Sequence, residues 1–375
     1  MSKLSYILPI GISFYTFKAL SYVIDVYRDD CKAEKNIVKY ALYVSFFPQI
    51  VSGPIQRAND FISQINEKHT YDYDRIKNGL VLILWGLFQK MVVADRLAIL
   101  VNTVFSNPSH YHGFEVITAS IFFTFQIYID FSAYSNMSIG IAQVLGYKVS
   151  ANFLRPYFSK SIKEFWRRWH ISLSTWFKDY LYIPLGGNRC SKFRYYFNIM
   201  VVFILSGLWH GSAFTFIIWG ALHGIYQIIG NILKPLKKLI VKSCNININS
   251  HSYKLLKILI TFALVNFAWI FFRASSFKAA VILIKNMMYF NPQILINGSI
   301  FKLGLNSSDF VAALIGICVI IIVDIIQISG SVRDKLSNKK LLFRWGIYIS
   351  SIVIILILGI YGPGYDIQQF IYSKF

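Results

Sequence analysis

The sequence predicts an all-α polytopic membrane protein of about eight spans with additional re-entrant pieces, and three observations carry that expectation. Hydrophobic residues make up 55% of the 375 positions and charged residues only 15%, with a mean hydropathy of +0.51, too apolar for a soluble domain. Apolar runs of the length needed to cross a bilayer alternate with short basic segments, as helical spans alternate with cytoplasmic loops. Several ionisable side chains, among them Asp130, His210 and Asp324, lie inside the apolar runs, where such groups face protein rather than lipid.

The first apolar run, Leu4 to Tyr27, carries Lys18 and Asp25, so one of its sides is expected to face the bundle. The stretch ALYVSFFPQIVSGPIQR that follows is broken by Pro48, Gly53 and Pro54 and reads as re-entrant, because its freed backbone groups need partners inside the protein. Residues 79–101 form a crossing with Lys90, Asp95 and Arg96 toward its end. Phe114 to Gly146 is apolar throughout with Asp130 in its middle, too long for one straight span and expected to bend or to end in an interfacial turn. Residues 195–233 are long enough to cross twice, with Gly207 and Gly211 near the centre. Further crossings are expected over 255–272, over 310–329 around Asp324, and over 345–361. No internal repeat or flexible linker divides the chain, so residues 1–375 read as a single membrane domain.

The net charge of +21, from 38 Lys and Arg against 17 Asp and Glu, falls between the apolar runs. It is explained by loops facing anionic headgroups rather than by nucleic-acid binding. Placing the basic segments 28–39, 56–78, 148–194, 234–257 and 331–344 in the cytoplasm requires even numbers of crossings between them and puts the loop 102–113 outside. The four cysteines, Cys31, Cys190, Cys244 and Cys318, have neither a paired spacing nor a metal-ligand spacing. His110 and His112 lack a third ligand nearby in sequence, so no metal site is expected.

His210 stands out chemically. It follows an uncharged run and sits between Trp209 and Gly211; an imidazole in such surroundings is paired, hydrogen-bonded or reactive, and a neutral one in a desolvated pocket is a good general base. His170 ends the run FWRRWH, which reads as an amphipathic interfacial helix with Trp and Arg anchors. There His170 is either incidental or lines a substrate path. His223 lies about 20 Å from His210 along an unbroken helix, so the two share a site only if the chain turns between them. Candidate substrate contacts are Trp169 and Arg168 beside His170, Trp209 beside His210, and Asn188 and Arg189 in the GGNR turn. For Asp130 and Asp324, pairing within the bundle is the favoured reading over an ion pathway.

The stretches SFYTFKALSYVIDVYR (13–28), SFFPQIVSGPIQR (45–57), FWRRWHISLSTWFKDYLYIPLGGNR (165–189) and SGLWHGSAFTFIIWGALHG (206–224) resemble the membrane-bound O-acyltransferases, and within them the bacterial alginate and peptidoglycan O-acetylation branch. The D-alanyl transfer branch shares the RWH and WHG elements but usually lacks PLGGN. The terminal FIYSKF is similar to the aromatic ending of the O-acetylation branch. The resemblance implies a central tunnel and a multi-pass protein of the bacterial cytoplasmic membrane. It implies an acyl group, acetyl in this branch, taken from a cytoplasmic thioester such as acetyl-CoA with no bound cofactor. His210 is then the catalytic residue and His170 lies on the same path. The acceptor side consists of an extracytoplasmic esterase-like partner and a polysaccharide. Members of the family carry spans ahead of LPIGISFYTF, which here starts at Leu8, so those spans are expected to be missing. The competing class is a transporter or flippase of a cell-envelope precursor, which also buries His and Asp but often shows inverted repeats.

Overall fold

A computed structural model describes residues 11–362; the start of the first apolar run and the FIYSKF ending lie outside the described residues. Those residues are helical and irregular, with no strand among them. The described residues open with α1 (Ile12–Tyr27), α2 (Ile37–Ser45), α3 (Phe47–Ile50) and α4 (Ala58–Ile65). At 1.5 Å per residue, the nine residues of α2 span about 14 Å. Neither it nor α3 is long enough to cross a hydrocarbon layer alone.

α5 (Tyr73–Leu87) runs through a π-helical stretch, Phe88–Ala94, into α6 (Asp95–Ser106). The widened turn places Lys90 inside, where its Nζ lies 2.8 Å from Asp95 Oδ1 and 2.8 Å from Asp130 Oδ1. Asp130 belongs to α7 (Phe114–Leu145), so the bundle-pairing reading holds for it. Asp324 is likewise engaged within the bundle, accepting from the Tyr128 hydroxyl at 2.9 Å.

Of the two expectations for the apolar run 114–146, a bend or a closing turn, α7 shows the turn. It is one continuous α-helix of 32 residues, about 48 Å long, closed at Gly146 in the left-handed region with φ 100°. Its continuity follows from its position: 78% of its most apolar window is buried, and it packs on α5, α6 and the π-helical stretch. Neighbours on several sides replace the lipid that would otherwise limit its length.

The basic segment folds as α8 (Ile162–Arg168) and α9 (Ile171–Phe177), the second running into a π-helical turn, Lys178–Tyr182. The hairpin α10 (Lys192–His210) and α11 (Phe214–Ile232) follows. Its helices approach closely because Gly207 and Gly220 have no Cβ. One added at Gly207 would lie 2.3 Å from Phe216 O, and one at Gly220 would lie 2.2 Å from Phe203 O. The chain continues through α12 (Lys234–Ser243), α13 (His251–Arg273), α14 (Phe277–Asn286), α15 (Ser307–Ile326), α16 (Val332–Ser337) and α17 (Leu341–Leu358). α17 is peripheral, with only 6% of its apolar window buried. Arg96 ties it and α15 to α6 by donating to Leu358 O at 2.7 Å and pairing with Asp309 at 3.1 Å.

By length and apolarity, four helices among the described residues qualify as spans, or five if the bent pair α11–α12 is one, against about eight expected. The shortfall has a local cause. α1 has only 16 described residues, the α5–α6 run carries the buried Lys90, Asp95 and Arg96, and α10 carries Lys192, Arg194 and Asn198.

Candidate active site

His170 does not lie on a continuous amphipathic helix. The chain breaks between α8 and α9, and His170 takes a left-handed conformation at φ 42°, ψ 55°, costly for a residue with a Cβ, by roughly 1–2 kcal/mol. Asn152 makes the break. Its backbone carbonyl accepts from Ile171 N at 2.9 Å, and its Oδ1 accepts from Ser172 N at 3.2 Å and from Ser172 Oγ at 3.0 Å, capping α9. The same Oδ1 lies 3.3 Å from His170 Nδ1. Trp169 and His170, expected at an interface, are instead each only 1% exposed. The His170 ring packs edge-on against Phe131 at 4.7 Å.

The first two motifs hold this elbow. Trp176 Nε1 donates to Phe17 O at 3.2 Å, and Tyr180 donates to Asp25 at 2.6 Å. Arg57 pairs with Asp179 at 2.8 Å and lies 4.3 Å from the Tyr180 ring centre. Lys18 donates to Gln49 at 2.6 Å, linking α1 to α3.

His210 closes α10 just before the turn at Gly211, and Trp209 brings the two histidines into one layer. The Trp209 ring is 6.2 Å from His170 and 4.7 Å from His210. Because α11 folds back, His223 joins them. The ring of Trp219 is 5.1 Å from His210 and 5.3 Å from His223, so the turn needed for a shared site is present. His223 is fully buried, and its Nδ1 accepts from Trp166 Nε1 at 3.2 Å. Phe272 of α13 packs on His210 at 5.2 Å, and Trp269 stacks on Trp219 at 5.5 Å.

A cavity of about 1000 Å³ opens beside this layer. Lys163, Arg167, Lys178 and Arg189 contribute four cationic side chains to it, and Ser174 and Ser206 line its walls. Each serine is one helical turn from a histidine, Ser174 from His170 and Ser206 from His210. Asn188 and Arg189 line the cavity. The GGNR turn that presents them has Gly186 and Gly187 at φ 102° and 55°, a conformation glycine adopts without strain. Asn198 of α10 fixes that turn, donating to Leu185 O at 3.1 Å and Gly187 O at 3.2 Å.

Arg168 does not line the cavity; Glu164 holds it at 2.6 Å, and its neighbour Arg167 takes the lining position. Trp169 packs on Trp269 at 5.1 Å and on Phe165 at 5.4 Å, supporting the elbow from behind. Sequence reading gave Lys163 no separate role and took Arg167 as one of two arginines placed to meet headgroups or phosphate; both line the cavity. The signal was available, since Lys163, Trp166 and Arg167 share one helical face at i, i+3 and i+4. No group of three or more metal-ligating side chains occurs among the described residues.

Apolar helices packed round a buried layer of imidazoles, with a basic cavity alongside, define a polytopic membrane protein with a polar site in its interior. The chain belongs to the membrane-bound O-acyltransferase family, whose model matches residues 32–277. It is 43% identical over 274 residues to the probable alginate O-acetylase AlgI of Pseudomonas aeruginosa, covering 73% of this chain and 50% of that protein. It is 35% identical over 311 residues to the peptidoglycan O-acetyltransferase of Helicobacter pylori, covering 76% and 58%. It is 28% identical over 248 residues to the teichoic acid D-alanyltransferase of Bacillus subtilis, covering 61% and 60%. The chain thus spans about half the length of the curated alginate O-acetylases it matches.

Proposed function

We propose that this protein is a membrane O-acyltransferase of the O-acetylation branch, with residues 1–375 acting as one membrane domain. It takes an acetyl group from acetyl-CoA on the cytoplasmic side of the bacterial inner membrane and hands it to a hydroxyl on the other side. The acceptor is an extracytoplasmic esterase-like partner or the cell-envelope polysaccharide that partner serves. The observation that carries this reading is the cavity, because its cations lie at Lys163, Arg167, Lys178 and Arg189 and its walls reach within one helical turn of both His170 and His210. Such a mouth suits a polyanionic thioester, whose phosphates meet the cations while the acyl end points inward.

His210 is the general base in this reading. It takes the proton of the attacking hydroxyl and returns it to the leaving thiolate. His170, across the Trp209 ring, lines the acyl path and helps to orient the acceptor. Asn188 and Arg189 contact the donor, and Trp169, Trp209 and Arg168 support the walls. Transfer of label from [acetyl-¹⁴C]acetyl-CoA in membranes carrying wild type or His210→Ala tests the assignment. Loss of transfer in the variant is expected, and equal transfer in both would remove it. Transport of an unmodified solute without acetyl transfer would favour a transporter or flippase.

A further inference from the structure

The layer beside His210 contains hydrogen-bond donors left without a partner among the described residues. Trp219 Nε1, Trp269 Nε1 and His223 Nε2 are buried and have no hydrogen-bond partner among the described residues. The three rings are mutual neighbours: Trp219 and Trp269 are 5.5 Å apart, Trp219 and His223 5.3 Å, and His223 and Trp269 6.3 Å. Trp219 also meets His210 at 5.1 Å.

All three groups are donors. An indole nitrogen only donates. His223 reaches the same state through its partner, because Trp166 Nε1 donates to its Nδ1; in the neutral imidazole, the proton therefore sits on Nε2. Three N–H groups without an acceptor each leave a desolvation cost of about 1–3 kcal/mol unmet. A neighbouring aromatic face answers that only weakly. The missing complement is an oxygen that offers lone pairs to several donors at once, a role that suits a carbonyl oxygen and suits it better as negative charge gathers there.

We infer that Trp219, Trp269 and His223 form a cradle for the acyl carbonyl oxygen and stabilise the oxyanion that develops there during transfer. The inference rests on the reading of His210 as the base of acyl transfer. In that step the acceptor hydroxyl oxygen bonds to the thioester carbonyl carbon, its proton passes to His210, and the C=O π pair moves onto the oxygen. Return of that pair breaks the C–S bond, and the departing thiolate takes the proton from His210. The negative charge appears only in the tetrahedral state, so prepaid N–H donors act on turnover more than on donor binding.

The experiment replaces Trp219 or Trp269 with β-(3-benzothienyl)alanine, which keeps the fused ring but exchanges N–H for sulfur. CoA release from acetyl-CoA is then followed in membranes, with His210→Ala alongside. The expected result is a fall in kcat of about 10²–10³-fold for each lost N–H, with the acetyl-CoA KM and the unfolding midpoint nearly unchanged. Infrared difference spectra of [1-¹³C]acetyl-CoA bound to the His210→Ala protein supply a readout independent of turnover. The carbonyl band lies below its solution frequency with the native indoles and moves back toward it with the benzothienyl residue. If His210→Ala is inactive while the benzothienyl proteins keep wild-type kcat and an unmoved band, the cradle is wrong and the base assignment stands. If His210→Ala turns over like wild type, both fall.

Discussion

Two of the polar centres buried among the described residues are built in opposite ways. Around α7, Lys90 satisfies Asp95 and Asp130 together at 2.8 Å each, while Gln89 donates to Ser132 at 3.0 Å and accepts from Asn136 at 2.8 Å. Around α10, α11 and α13, polar groups are set among Trp, Phe and His rings, and three of their N–H groups find no partner among the described residues. A closed ionic cluster fixes how helices meet. A layer with unused donors keeps hydrogen-bonding capacity in reserve. The contrast teaches that burial of charge does not by itself mark chemistry in such a protein; under the inference above, unspent donors next to His210 are the more telling feature.

The contrast is most exposed at His210. Under the proposed function, His210→Ala lowers acetyl transfer by about 10²–10⁴-fold, the range for removal of a general base, with little change in the unfolding midpoint in detergent. A large drop in stability with retained transfer would place this histidine with the structural centre instead.

The opposite signature belongs to Lys90. Lys90→Met strands two carboxylates in the interior and is expected to cost about 3–5 kcal/mol of stability. Adding Asp95→Asn and Asp130→Asn removes the stranded charge and recovers most of the loss. Thermal unfolding of the single and triple variants measures both, and equal destabilisation would break the contrast.

A smaller effect is expected at Asn198, which has two hydrogen bonds on the GGNR turn. Asn198→Ala leaves the carbonyls of Leu185 and Gly187 without that donor, at about 1–3 kcal/mol. Since the turn presents Asn188 and Arg189 to the cavity, the acetyl-CoA KM rises more than kcat falls. The smallest difference separates two adjacent arginines. Arg167→Ala, on the cavity, raises the donor KM several-fold at low salt, corresponding to about 1 kcal/mol, and less as salt screens the charge. Arg168→Ala, held by Glu164, leaves KM within twofold.

The class of fold was legible because helical membrane proteins write it into composition and run length, and the shortness of α2 and α3 agrees with the breaks at Pro48, Gly53 and Pro54. The four motifs that carry the resemblance meet in space. The α10–α11 turn at Gly211 and the bundle pairing of Asp130 also follow from local features. Three things were not legible, each for a physical reason. The continuity of α7 depends on neighbours surrounding it, which no single run records. The elbow at His170 depends on Asn152, eighteen residues earlier, capping a helix that the local pattern of Trp and Leu would otherwise continue. The spent or unspent state of Trp219, Trp269 and His223 depends on which atoms Trp166 and its neighbours reach, and that is a property of packing alone.

The left-handed backbone at residue 170 bears on how the elbow is best probed. Few side chains tolerate that conformation: glycine does so freely, and asparagine, aspartate and histidine more readily than the rest. A scan of all replacements at this position would mostly rank their willingness to make a sharp corner. Asparagine is the informative choice, because it accepts the corner while lacking the ring, so what His170→Asn loses is owed to the imidazole and not to the path of the chain.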